Sequence, residues 1–465
     1  MRLARRCGSA VIDGWRWRGL LGAMILALAM GLAACGSDDE SGDSGAAASE
    51  DQEQAAEAVS KKENPANRIT DYVEYTSGKA GPADTSQKPV KIGWVNNQDG
   101  SIPPAGLSST EAAEWAVKYI NDHLGGVKGR PLQLEKCFVK NSEEEGLGCA
   151  QKFLNDPDLP VITYGAVAVG ANTIASTVDG RKPIVMGFSL NPSDANADNT
   201  YILFAAGNFS VYGWATFGRD VLKAKTNAVL YPEGPGLQEV AAGVKESSDA
   251  VGIETKFVGF DPNTTDLTGA LTAAGAQEAD MISPIVVQPD HCIALNRALD
   301  TLGVDPNKVV GFLDCSKPEL HEGYGGDAPK WYYGIAQSGD AFIEPPTPAG
   351  VEFRKALREY FPNEDNAADA WFSSTFSLML TIAKFMNEAD EITPETVAAG
   401  AKAFKGPLLM GGAELACGKY PKSRAVCGDG DQFFKYLGDD KYEAIGGWIQ
   451  TPVELQKKLG AKVDG

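Results

Sequence analysis

The sequence predicts an α/β protein built on parallel sheets, and three observations predict it. Short β-rich runs alternate with helical patterns from Pro89 onward. The helical stretches are of a length that covers both faces of a sheet. The alternation also occurs as two similar α/β halves, with no internal short-period repeat, in a stretch long enough for two domains with sizeable cores.

The elements follow in order. "VKIGWV" (Val90–Val95) is a strand that ends in the polar loop "NNQDGS". "SSTEAAEWAVKYINDHLGG" reads as a helix: Ser108 and Glu111 have capping-box spacing, and Ala112, Trp115, Ala116, Tyr119 and Ile120 share one face. Gly125-Gly126 stop it. The strand "LQLEKCFV" and the helix "EEEGLGCAQKFLND" repeat the unit, as do "PVITYG" with "ANTIASTVD", followed by the strand "PIVMGF". A second series begins after "FAAGN", with the strands "NAVLY", "FVGF", "DMISPIVV", "VVGFL" and "WYYGIAQ". Its helices are "LQEVAAGVKESSDAVG", "DLTGALTAAGAQ" and "CIALNRALDTLG". Helices return from about Pro348 to Phe404, and "DQFFKYLGDDKYEAIGGWI" closes the chain as two strands around a Gly-Asp-Asp turn.

Ahead of these elements the chain is of another kind. Five arginines open it, and residues 19–34 carry no charge before Cys35. A run this short does not suit a transmembrane helix, and a basic start, an apolar middle and small residues compose a secretory signal. The ending Leu32-Ala33-Ala34-Cys35 resembles the lipobox of bacterial lipoproteins, which implies cleavage before Cys35 and diacylglycerol on its thiol. Residues 36–60 hold eight acidic side chains and no Lys or Arg among Gly, Ser and Ala. Such a composition cannot bury enough apolar surface to offset ordering entropy. Residues 1–34 are therefore expected as signal peptide, and 35–88 as lipidated cysteine and disordered tether.

Charge and cysteines narrow the class. Cleavage removes five Arg and one Asp, which moves the net charge from −20 to −24. That makes nucleic acid an improbable partner and leaves membrane attachment to lipid. Six cysteines remain, as the close neighbours Cys137 and Cys149, Cys292 and Cys315, Cys417 and Cys427. An even count in an exported chain favours disulfides, and of the 15 possible connectivities local pairing is the expectation. Zinc is a poor rival, since there is no CxxC and the three histidines are scattered; only His291 beside Cys292 suggests it.

From Pro89 to Pro452 the chain resembles the type I periplasmic-binding-like proteins, solute receptors of ABC importers in the branched-chain amino acid and amide group. The carriers are the opening strand with its polar loop, "AVKYINDHLGGVKGRPLQLE", the "VITYGA" and "PIVMGFSLNP" turns, and "FKYLGDDKYEAI". The resemblance implies two Rossmann-like lobes with parallel sheets, joined by three crossovers in a Venus-flytrap arrangement that traps ligand. Crossovers are expected near Gly207–Ser210, Gln337–Phe342 and Lys405–Met410. Lobe 1 would then comprise 89–208 and 341–407, and lobe 2 would comprise 209–340 and 408–465. Permease and ATPase subunits are the implied partners of a monomer at the outer face of the cytoplasmic membrane, with no cofactor or metal.

Ligands of open α/β sheets bind beyond the carboxyl ends of strands. That rule and the resemblance select the same loops. Lobe 1 offers Gln98, Asp99 and Ser101, then Ala166, Val167 and Val169, then Phe188, Ser189 and Leu190. Lobe 2 offers Phe209, Tyr212, Glu233, Gln288, Asp290 and Asp314. Amino acid receptors of the family place hydroxyls where Val169 and Leu190 stand here, although a one-residue slip brings in Ser189. Burying a zwitterion without partners is costly, so an uncharged or singly charged solute with an apolar or aromatic body fits better. An enzyme on the same architecture lacks support: there is no GxSxG elbow, no GxGxxG after a strand, and "GPGLQE" is not a Walker loop. A surface receptor that only reports ligand to a sensor would share the fold.

Overall fold

A computed structural model describes residues 64–99, 106, 108–234, 237–339, 343–362 and 369–463. The expected signal peptide and Cys35 lie outside the described residues.

The first sheet holds β1 (Val90–Asn97), β2 (Leu132–Val139), β3 (Ile162–Tyr164), β4 (Ile184–Ser189) and β5 (Thr200–Ala206). All are parallel, in the order β2-β1-β3-β4-β5. Side chains alternate between two cores. Ile92, Trp94 and Val185 join one, while Val95, Ile162, Tyr164 and Met186 join the other. Helices α1 (Ser108–His123), α2 (Glu143–Leu154) and α3 (Ala171–Val178) connect successive strands. The expected α1 face is buried through Ala112, Trp115, Ala116 and Ile120. The capping box expected there does not form on the serine side, because Ser108 Oγ is buried without a partner among the described residues. Ser142 and Glu145 supply a full box at α2 instead.

The second sheet begins with β6 (Thr226–Pro232), β7 (Glu254–Phe260) and β8 (Met281–Pro284), parallel in the order β7-β6-β8. An Ile282–Val309 bridge joins β8 to β9 (Val310–Phe312). Beyond it lie β10 (Tyr332–Ile335), β11 (Gly430–Gly438) and β12 (Lys441–Gln450), the last two antiparallel. The β11–β12 turn places Asp439 and Asp440 in the left-handed region, at φ 51° and 56°. Helices α4 (Gly213–Asp220), α5 (Leu237–Ala250), α6 (Thr268–Ala274) and α7 (Pro289–Thr301) belong to this half. Helices α8 (Pro348–Tyr360), α9 (Ala370–Glu388) and α10 (Pro394–Ala403) return to the first, and α11 (Val453–Lys458) follows β12. The strongly apolar α9 is core: Trp115 stacks on its Phe372 and Phe376 at 5.3 and 4.3 Å.

The three cysteine pairs are joined locally, Cys137–Cys149, Cys292–Cys315 and Cys417–Cys427.

Three expectations about boundaries need correction. The tether does not run to residue 88, because the chain is folded onto the first half from Asn64. Asn64 Nδ2 donates to the Gly411 carbonyl at 2.8 Å, and Tyr72 is 3% exposed between Tyr119 and Phe376. Tyr75 Oη shares a 2.8 Å hydrogen bond with Thr381 Oγ1. The second crossing, which returns the chain to lobe 1, ends later than 341, since Ile343 still bridges Tyr442 of the second sheet. The third departure is not at 405–410. Leu408, Leu409, Met410, Leu415 and Cys427 lie in the first half's core, and Val426 bridges Ile202. The chain leaves at residues 428–430, where β11 begins.

Candidate functional site

The loops at the carboxyl ends of β1, β2 and β3 are tied together by two asparagines that the sequence reading passed over. Asn97 Oδ1 accepts from the backbone N–H of Ala168 and Val169 at 2.7 and 3.1 Å. Its Nδ2 donates to the Val139 and Val169 carbonyls at 3.2 and 3.0 Å. Asn96 Oδ1 accepts from Ala166 N–H at 2.8 Å. Gln98 Oε1 accepts from Thr110 Oγ1 at 2.6 Å, which fixes it over the first turn of α1. Asp99 is exposed at φ 63°, and Ser101 lies outside the described residues. Ala166 and Val167 are buried, whereas Val169 is half-buried.

After β4, Phe188 is half-buried and meets Trp371 edge-on, with ring centroids 5.8 Å apart. Leu190, at 36% exposed, is one of few large apolar side chains left in solvent. Ser189 is not available to a ligand. Its hydroxyl donates to Asp194 Oδ2 at 2.7 Å and accepts from Asn191 N–H at 3.1 Å. Burial pushes the Asp194 carboxyl up to about 6, against a smaller lowering from that Ser189 bond. Trp371 stands on the first turn of α9, whose N-cap is Asp369: Asp369 Oδ1 accepts from Trp371 and Phe372 N–H. An indole at this position was not legible, because "AWFSSTF" reads only as apolar helix and nothing marks which turn meets the loops.

In the second half, Glu233 follows β6 and is exposed, its side chain lying over Gly259 of β7. Gln288 is the N-cap residue of α7 without a side-chain cap bond, and Asp290 is exposed in that helix's first turn. Asp314 follows β9, with Oδ1 2.9 Å from Lys317 Nζ. Asp314, then Asp369 of the first half and Glu319, hold the Lys317 ammonium above its ordinary value against partial desolvation. Lys317 is a cation on the β9 loop that sequence reasoning missed, an exposed lysine before a proline with nothing to single it out.

Phe209 and Tyr212 are placed elsewhere. Both are buried, Phe209 packs on Tyr212 and Tyr420 at 5.1 and 4.7 Å, and the Tyr212 hydroxyl donates to Glu246 at 3.0 Å. Their rings are occupied in the core beside the first crossing (Gly207–Ser210) and are not walls of the mouth. The strand-end loops of the first half thus carry apolar and aromatic side chains, and those of the second carry polar, largely acidic ones.

Known proteins give the same architecture. The family model for periplasmic binding proteins matches residues 89–419. Among solved structures, a leucine binding protein from Thermotoga maritima matches at 15% identity and TM-score 0.58, covering 76% of this chain and 97% of its own. A fatty acid ABC transporter substrate-binding protein from Thermomonospora curvata matches at 16% and 0.60, covering 83% and 98%. A branched-chain amino acid transporter substrate-binding protein from Streptococcus pneumoniae, in complex with isoleucine, matches at 16% and 0.57, covering 77% and 99%. No curated protein matches the chain. With two α/β halves, three crossings between them and a family model spanning most of the chain, this protein belongs to the periplasmic binding proteins.

Proposed function

We propose that this protein is the extracytoplasmic solute receptor of an ABC importer, held by lipid on Cys35 at the outer face of the cytoplasmic membrane. It captures a small organic solute between its halves and passes it to permease and ATPase subunits. The solute carries an apolar or aromatic body and at most one charge, an aromatic or apolar carboxylate or an amide rather than a free amino acid. The observation that carries this reading is the pairing of Phe188 with Trp371 beside Leu190, where the adjoining hydroxyl, Ser189, is already bonded within the fold. A zwitterion placed there would bring two charged groups to desolvate, whereas a monocarboxylate brings one and an amide none.

A thermal-shift screen of amino acids, amides, aromatic acids and short-chain carboxylates tests it. A ligand at one hundred times its dissociation constant adds about 2.7 kcal/mol of stability. Aromatic or apolar monocarboxylates or amides should give the largest shift. If leucine, isoleucine or valine leads while aromatic compounds are silent, the solute class is wrong and the receptor stands. If no solute in any class shifts the protein, the receptor reading falls.

A further inference from the structure

We propose a second binding site beside the third crossing, for a small organic cation with an apolar or aromatic body. A cavity of about 330 Å³ opens there, within the range of small-molecule sites. None of its lining residues belongs to the loops of the candidate solute site. Phe204 of β5 and Trp448 of β12 form its aromatic part, with ring centroids 6.0 Å apart. Asp429, in the strip that crosses between the halves, and Glu414, in the segment packed on the first half, supply its charge.

The electrostatics select the ligand. Asp429 is only 5% exposed, and its Oδ2 takes both the Lys419 ammonium at 2.9 Å and the Tyr420 hydroxyl. Its Oδ1 receives no hydrogen bond among the described residues. Lys419 answers one of the two carboxylates, and the exposed Glu414 has no ion-pair partner among the described residues, so a single positive charge completes the site. Aromatic faces add to the attraction for a cation. An anion meets repulsion here, and a neutral ligand leaves the charge as it was. Glycine backbone shapes the walls: a Cβ on Gly428 would come within 2.3 Å of the Leu203 and Phe204 carbonyls. Gly412 is different, for the nearest atom to its added Cβ lies 3.7 Å away, so a side chain there has room to fill the cavity. Because the cavity takes residues from both halves and the crossing between them, occupancy by the cation is linked to how the halves close.

Isothermal titration of the full chain with benzylamine, benzyl alcohol and benzoate tests the proposal. Benzylamine should bind at least tenfold more tightly than the other two. Gly412→Leu should abolish that binding, and Glu414→Gln should weaken it several-fold with the melting temperature unchanged. Benzyl alcohol or benzoate binding as well as benzylamine would overturn the proposal. So would benzylamine failing to bind, or binding undiminished to a folded Gly412→Leu protein, which would locate it elsewhere. Should Gly412→Leu not fold, Glu414→Gln decides alone, and undiminished affinity in that variant also overturns the site.

Discussion

Ser189 carries a hydroxyl on the loop where a receptor for a free amino acid needs one, yet it is committed to Asp194. That carboxyl is 1% exposed, and burial lifts it to about 6 from 3.8. The folded chain therefore binds this proton more tightly than the unfolded chain. Between about pH 4 and 6 it holds more protons, so stability falls as pH rises through that window and is level above it. The shift amounts to about 3 kcal/mol at neutral pH. Asp194→Asn should remove that part of the pH dependence and raise neutral-pH stability by up to this amount, read by urea unfolding from pH 4 to 8. Trp371 makes the companion case. Removing its half-buried ring should lower affinity for an apolar-bodied solute by roughly 30-fold, about 2 kcal/mol of lost burial, while the melting temperature of the free protein moves little. A titration in which Trp371→Ala binds as before would exclude the ring from the site. Residues of this kind were half legible. Loop positions followed from the strand ends, but whether a side chain there faces ligand or its own loop depends on neighbours far along the chain. Ser189 and Asp194 show this, as do Asn97 with the 168–169 backbone, and Trp371 with Phe188.

Elements were legible where pattern and propensity agreed. "LQLEKCFV" is β2 to the residue, and the helix around Trp115 buries the face that its spacing marks. β5 was passed over because Thr200–Ala206 is buried on both faces, and an unbroken apolar run carries no period to separate strand from helix. Residues 64–88 are polar on average and are held by a few contacts, Tyr72 and Tyr75 above all, which no periodicity announces. The third crossing sits in irregular chain that composition does not resolve. The disulfides were legible as neighbours, and one of them joins two loops of the candidate site. Cys292 lies in the first turn of α7, next to Gln288 and Asp290, and Cys315 adjoins Asp314. Replacing this pair by alanines should cost about 3 kcal/mol in the chain-entropy model and weaken solute binding as well. Replacing Cys137 and Cys149, which join β2 to α2, should cost similar stability and leave affinity within about twofold. Equal losses of affinity from both pairs would show that Cys292–Cys315 has no special hold on the site.

At the scale of the whole molecule, solute that touches both halves favours their closed arrangement over the open one. Small-angle scattering should show a smaller radius of gyration with saturating solute, and Trp371→Ala should shift that response to higher concentration. An unchanged profile with solute bound would remove closure from the mechanism. Cys35→Ala should release the protein from membranes or leave its precursor uncut, as fractionation would show; a variant processed and retained as before would end the lipid reading. The amino-terminal segment then decides how such an attachment acts. From Asn64 the chain is fastened to the first half through Gly411, Thr381 and the rings around Tyr72. A pull arriving through residue 64 would load that half first, through those contacts. With such an attachment the first half would be the stator, and the second would swing against it.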